Sequence, residues 1–175
     1  MHRLSLILVV LTCAAALGLS GCGSSSGSSA STTAATSGST HFAKTKFLLH
    51  AGLAFGAFHR YIYKPFRAGD FKHPFLHKLT LIKAGLSALF VEHELRIAAT
   101  DVKSSKILRA LFSPLTAVAS RISSLKSSIT GGSVGSSAIG GVQSQLSSIS
   151  HVASTQGQSI QDAIPSAGQL ASGGG

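Results

Sequence analysis

HFAKTKFLLHAGLAFGAFHRYIY, residues 41 to 63, is the stretch on which the fold turns. Phe47, Leu48, Ala51, Ala54, Phe55, Phe58 and Ile62 recur at helical spacing, while Leu49, Leu53 and Ala57 cover the remaining side. A helix that is apolar nearly all round is buried, in protein or in lipid. Gly52 and Gly56 are four apart, the small-residue spacing that lets two helices approach closely, and predict a packing notch. The apolar run is short for a bilayer span and carries His50, His59 and Arg60, which are costly at a membrane centre. The expectation is a buried core helix that stops where Lys64-Pro65 disfavours helical backbone.

Downstream, residues 64 to 73 mix Pro, Gly and Asp with basic side chains and read as a loop. A second helix is expected from Pro74 to about Thr100, with Phe75, Leu79, Ile82, Leu86, Leu89, Phe90 and Ile97 as core positions and Gly85 facing its partner. A loop of this length joins the two as an antiparallel hairpin. A third stripe begins at Ile107 and Leu108 and runs through Leu111, Leu115, Val118, Ile122, Leu125 and Ile129. From Leu115 on its steps alternate between three and four, which makes the segment to Ile129 a helix-pairing seam. Ser113-Pro114 reads as a cap followed by Pro in the first helical position. Glycines at 131, 132, 140 and 141 break the chain, and the residues Ile139, Val142, Leu146 and Ile149 resume the seam.

The fold class expected is therefore all-α: a small helical hairpin plus Ser-rich amphipathic helices, with a disordered linker and tail. The divisions expected are a helical domain over 41–130, a Gly break and Ser-rich helix over 131–160, and a disordered tail over 161–175. Upstream, residues 23 to 40 are all Gly, Ser, Ala or Thr, which with position 22 reads as a flexible tether of about 20 to 25 Å. All eleven aromatic residues of the 175-residue chain lie between Phe42 and Phe112, so any compact core is small.

The first 21 residues have the build of an export signal: a basic start at Arg3 and an apolar run from Leu4 to Leu17. Leu19-Ser20-Gly21-Cys22 follows, and it resembles the lipobox of bacterial lipoproteins. The resemblance implies cleavage before Cys22 and acylation of its thiol and new amino terminus. At ~0.8 kcal/mol per buried CH₂, two or three chains anchor a domain that one would hold only weakly. It also implies export and attachment to the extracytoplasmic side of a membrane. Cys13 would leave with the signal, so the mature chain would hold no free thiol. Residues 42 to 112 resemble uncharacterised actinobacterial exported domains, which implies no mechanism.

Chemistry is sparse. No phosphate loop or His-Glu-x-x-His stands in the chain, and the expectation is a protein that is not an enzyme and has no cofactor. The formal net charge is +10, from 15 Lys and Arg against 5 Asp and Glu. Lys64, Arg67, Lys72 and Lys78 are interleaved with aromatics and read as anion contacts. An exported location argues against nucleic acid and points to anionic lipid, a wall polymer or a helix-pairing protein partner. The alternative is a metal or ligand site in the hairpin, built from His50, His59, Glu92 and His93. His73 and His77 also have ligand spacing, but Lys72 and Lys78 flank them and repel a dication.

Overall fold

A computed structural model describes the backbone of residues 32–173 and the side chains of residues 41–173. The lipobox, the export signal and the tether up to residue 31 lie outside the described residues. Within them every regular element is a helix, so the fold is all-α.

The helix α1 spans Thr32–Phe58 and passes through a π-helical turn, His59–Tyr63, into α2, Lys64–Ala68. Two expectations are corrected here. The tether gives way to helix at Thr32, because adding turns to a nucleated helix costs far less than starting one. The chain also stays helical across Pro65, and the π turn supplies the reason. Widening the helix lets the Lys64 N–H reach the carbonyl of His59, five residues back, just before the residue that has no N–H to give.

After a 3₁₀ turn at Asp70–Lys72, α3 runs over Lys78–Lys103, four residues later than expected, since the backbone of 74–76 forms a turn. A second 3₁₀ turn, Arg109–Leu111, leads into α4, Phe112–Thr130. Pro114 thus sits inside the first turn of α4, while Ser113 does not cap it. The helix α5 covers Ser136–Thr155, and the short α6 covers Ala167–Ala171.

Residue pairings give the directions. His50 meets Glu94 and Ala57 meets Ser87, so α1 and α3 are antiparallel, as a hairpin requires. Gly85 faces Thr130 while Lys126 approaches Glu92, so α4 runs back along α3. Gly141 lies against Arg121, and α5 reverses once more. The seam expected from Leu115 to Ile129 and from Ile139 to Ile149 is buried throughout. Its polar side is satisfied locally: Ser120, Ser124, Ser128 and Ser148 each donate to the carbonyl four residues back. The helices α4 and α5 end alike, with Gly132 and Gly157 at φ +71°, a left-handed conformation that side chains other than Gly rarely take.

Residues 161–173 of the tail are ordered, which corrects the expectation of disorder there. The extended chain after α5 crosses α1 at Gly52 and Gly56, where the Ala163 N–H donates to the Gly52 carbonyl at 2.9 Å. Ile160, Pro165 and Leu170 are buried along this strap. The small-residue notch is real, but an extended strand of chain fills it rather than a helix. A strand is narrow, and its peptide groups sit where Cβ atoms of α1 would otherwise stand.

A methyl group added at Gly56 would meet the carbonyl oxygen, carbon and nitrogen of Ala163, whereas one added at Gly140 on α5 would meet nothing within 4 Å. We expect Gly56→Ala to destabilise the fold by about 1–3 kcal/mol in denaturant unfolding and to speed amide exchange over 160–165. Gly140→Ala should stabilise it by about 0.5–1 kcal/mol.

Candidate functional site

The polar groups inside the bundle are few, and the deepest carboxylate among them is paired. Glu94 is only 3% exposed, and the Nδ1–H of His50 donates to its Oε2 at 2.6 Å. A carboxylate at such depth needs a cationic or hydrogen-bonding partner, and α1 supplies it from the facing turn. About two helical turns further along α3, Asp101 has a buried oxygen, Oδ2, with no hydrogen-bond partner. Burial pushes the Asp101 carboxyl above its ordinary value of 3.8, against the opposing pull of His50 and Lys46.

His59 is held differently. Its Nδ1–H donates to Asp162 of the strap at 2.5 Å, and its Nε2 lies 2.9 Å from the side-chain amide of Gln143 on α5. One π-helical residue therefore ties three segments together. Beside it is an open cavity of about 350 Å³ lined by Phe55, Ser147, Ser150, His151 and Ile160.

The proposed ligand set His50, His59, Glu92 and His93 does not converge. His50 is engaged with Glu94, and His59 with Asp162. Glu92 receives the Arg96 guanidinium at 2.8 Å and has Lys126 at 4.0 Å, while His93 is exposed. Among the described residues no three His, Cys, Asp or Glu side chains are grouped to hold a metal ion. The reason is helical phase: residues 92, 93 and 94 point in three directions around α3, so only one of them can face α1.

Lys64, Arg67, Lys72 and Lys78 are all exposed, and none of them makes an ion pair among the described residues. They share the end of the hairpin at which α1 turns back into α3 but line separate hollows. Lys64 lies with Arg60, Lys83 and Asp70 in one of about 290 Å³. Lys72 borders a second of about 500 Å³, with Phe66 and Phe71. Lys78 borders a third of about 810 Å³ between α3 and α4, with Lys126 across from it.

That third hollow was not foreseen. Phe75, Leu79, Ile82, Leu86 and Leu89, expected in the core, are exposed, and all of them but Leu79 line it. The core of α3 is instead made by Ala84, Ala88, Val91, Leu95, Ala98, Ala99 and Val102, with Phe90 as the one large residue of the expected set that is fully buried. A second apolar stripe of small residues was visible in the sequence, and two stripes on one helix signal that one of them faces outward.

The chain matches no protein-family model, no curated protein and no solved structure. No helix among the described residues is long and apolar enough to cross a membrane. The fold and its surface define an antiparallel helical bundle with a cationic, partly apolar end.

Removing the His50 imidazole strands a buried carboxylate, so His50→Ala is expected to cost about 3 kcal/mol in unfolding experiments, and Glu94→Gln clearly less. The Asp101 carboxyl binds its proton more tightly folded than unfolded. The stability it contributes is therefore present at acid pH and lost as pH rises through and above the ordinary carboxylate range. Asp101→Asn should then melt higher than the parent at about pH 7, with the advantage shrinking at about pH 3.

Proposed function

We propose that this chain is a non-enzymatic, lipid-anchored protein of the bacterial cell envelope whose cationic helical domain binds an anionic lipid surface or wall polymer. The reading rests first on Leu19-Ser20-Gly21-Cys22, with Cys22 as the acylated residue after an export signal. It rests equally on the charge at the hairpin end. Between His59 and Lys83 stand Arg60, Lys64, Arg67, Lys72, Lys78 and Lys83, with Asp70 as the one carboxylate.

The observation that carries the binding half is that Lys64, Arg67, Lys72 and Lys78 all face solvent without an internal ion-pair partner among the described residues. Cations used for internal pairing, such as Arg96, sit elsewhere. Unpaired charge in one region raises the local concentration of anions, and a tether limits the search to the surface beside the anchor. The Ser-rich helices α4 and α5 add only Arg121 and Lys126 to the charge.

Two measurements test this. Intact mass of the membrane fraction should show a lipid-sized gain in the parent and none in Cys22→Ala. Binding of the domain to phosphatidylglycerol vesicles or anionic wall polymer should weaken about tenfold or more as salt rises from about 0.05 to about 0.3 M, and the joint substitution of Lys64, Arg67, Lys72 and Lys78 by Gln should have a similar effect. A chain that carries no lipid, or binding indifferent to salt, overturns the reading.

A further inference from the structure

Six large apolar side chains stand out of the bundle in one row. Phe75 is 85% exposed, Leu76 80%, Leu79 64%, Ile82 60%, Leu86 41% and Leu89 44%. On α3 the positions 79, 82, 86 and 89 step by three and four and fall on a single line, and Phe75 in the turn before the helix borders the same groove as Ile82, Leu86 and Leu89. Contiguous exposed apolar surface of this kind marks an interaction site. We propose that this row is a membrane-seating face, which enters the interfacial layer of an anionic bilayer while Lys72, Lys78 and Lys83 hold lipid phosphates along its rim. The proposal rests on the membrane location given under the proposed function and specifies how the domain meets that membrane.

Three features favour a bilayer as the occupant. The first is charge. Lys78 and Lys126 line the groove beside the row, and no carboxylate lines it. A surface meant for a neutral helix gains nothing from such a rim, whereas anionic headgroups above an acyl layer complement both parts of it. The second is the gradient. Exposure is greatest at Phe75 and Leu76, in the turn before α3, and declines along the helix. A protruding turn with an aromatic at its tip suits the headgroup boundary, where aromatic side chains gather. The helix would then lie tilted, its turn deepest and Leu89 near the surface. The third is reach. Lysine stems lie along apolar surface and extend their ammonium groups toward the polar layer, so Lys72, Lys78 and Lys83 can touch phosphates while their neighbours are inserted.

The groove itself, about 810 Å³ between α3 and α4, has Leu81 and Ile129 among its lining and the glycines Gly85, Gly131 and Gly132 along its edge. With no side chains at those glycines, the groove remains open beside the row. Its size is within the range of sites that take small apolar ligands, so an acyl chain from the upper leaflet can lie in it when the face is seated.

The chain contains no Trp, which makes the test direct. In the full chain, Phe75→Trp places a single tryptophan, excited selectively over Tyr61 and Tyr63, at the tip of the face. Phe42→Trp, within α1 and also exposed, serves as the control. On vesicles of phosphatidylglycerol and phosphatidylethanolamine, iodide quenching of the Phe75→Trp protein should fall about fivefold with a blue shift in emission, and that of the Phe42→Trp protein should change less than about twofold. Adding Leu79→Glu and Ile82→Glu to the Phe75→Trp protein should restore iodide access, with circular dichroism confirming that these exposed substitutions leave the fold intact. Unchanged iodide access on anionic vesicles with which the chain co-sediments overturns the seating face and leaves the electrostatic reading standing. Failure to co-sediment overturns both. Shielding of the reporter without lipid, together with a dimer mass in light scattering, assigns the row to a second copy and also overturns the proposal.

Discussion

Everything in this bundle depends on how closely α3 can approach two neighbours at once. The helix lies against α1 on one side and α4 on the other, and the residues it presents to them are largely Ala84, Gly85, Ser87, Ala88, Ala98 and Ala99. The facing residues of α1 include Ala51, Ala54 and Ala57, so the two backbones come close, and the Ser87 hydroxyl donates directly to the Ala57 carbonyl at 3.1 Å. Packing of this kind is dense but leaves little room for large side chains. Phe47, Phe58, Phe90 and Leu95 fill what space there is. The leucines and isoleucine at 79, 82, 86 and 89 are then turned outward, not because they are weakly apolar but because the inner faces are already occupied.

The same need for narrow contact explains the strap. A fourth side of α1 is left open by the way α5 comes back along the bundle, and the extended chain beyond Gly157 covers it at Gly52 and Gly56. His59 stands at the crossing, bound both to Asp162 of the strap and to Gln143 of α5. Its placement follows from the π turn, and the π turn from Pro65. A single proline thereby influences the position of a side chain six residues earlier, which in turn holds a segment about a hundred residues later in the chain.

Charge is segregated on the same plan. Acidic side chains on α3 are used inside the structure: Glu94 with His50, Glu92 with Arg96 and Lys126. Asp101 is the exception, a carboxyl whose buried oxygen lacks a partner, and it sits at the opposite end of α3 from the cationic region. The lysines and arginines near the hairpin turn have no such internal work among the described residues, and the exposed apolar row begins among them.

The helical periods, the antiparallel hairpin and the heptad seam of α4 and α5 were legible in the sequence, because each is a local repeat that one buried face enforces. The pairing of a histidine of α1 with Glu94 of α3 was also within reach, since a hairpin brings those turns together. Other features were not legible. The order of the tail depends on a groove made by two glycines more than a hundred residues away, and no local pattern in a Ser- and Gly-rich segment can report that. The dispersal of His50, His59, Glu92 and His93 depends on the rotation of α3 about its own axis. That rotation is also what placed the large apolar row outside. By itself the sequence determined that α3 is a helix rich in apolar residues; only the tertiary structure decided which of them form the core, because close packing between two neighbours favours the smaller side chains.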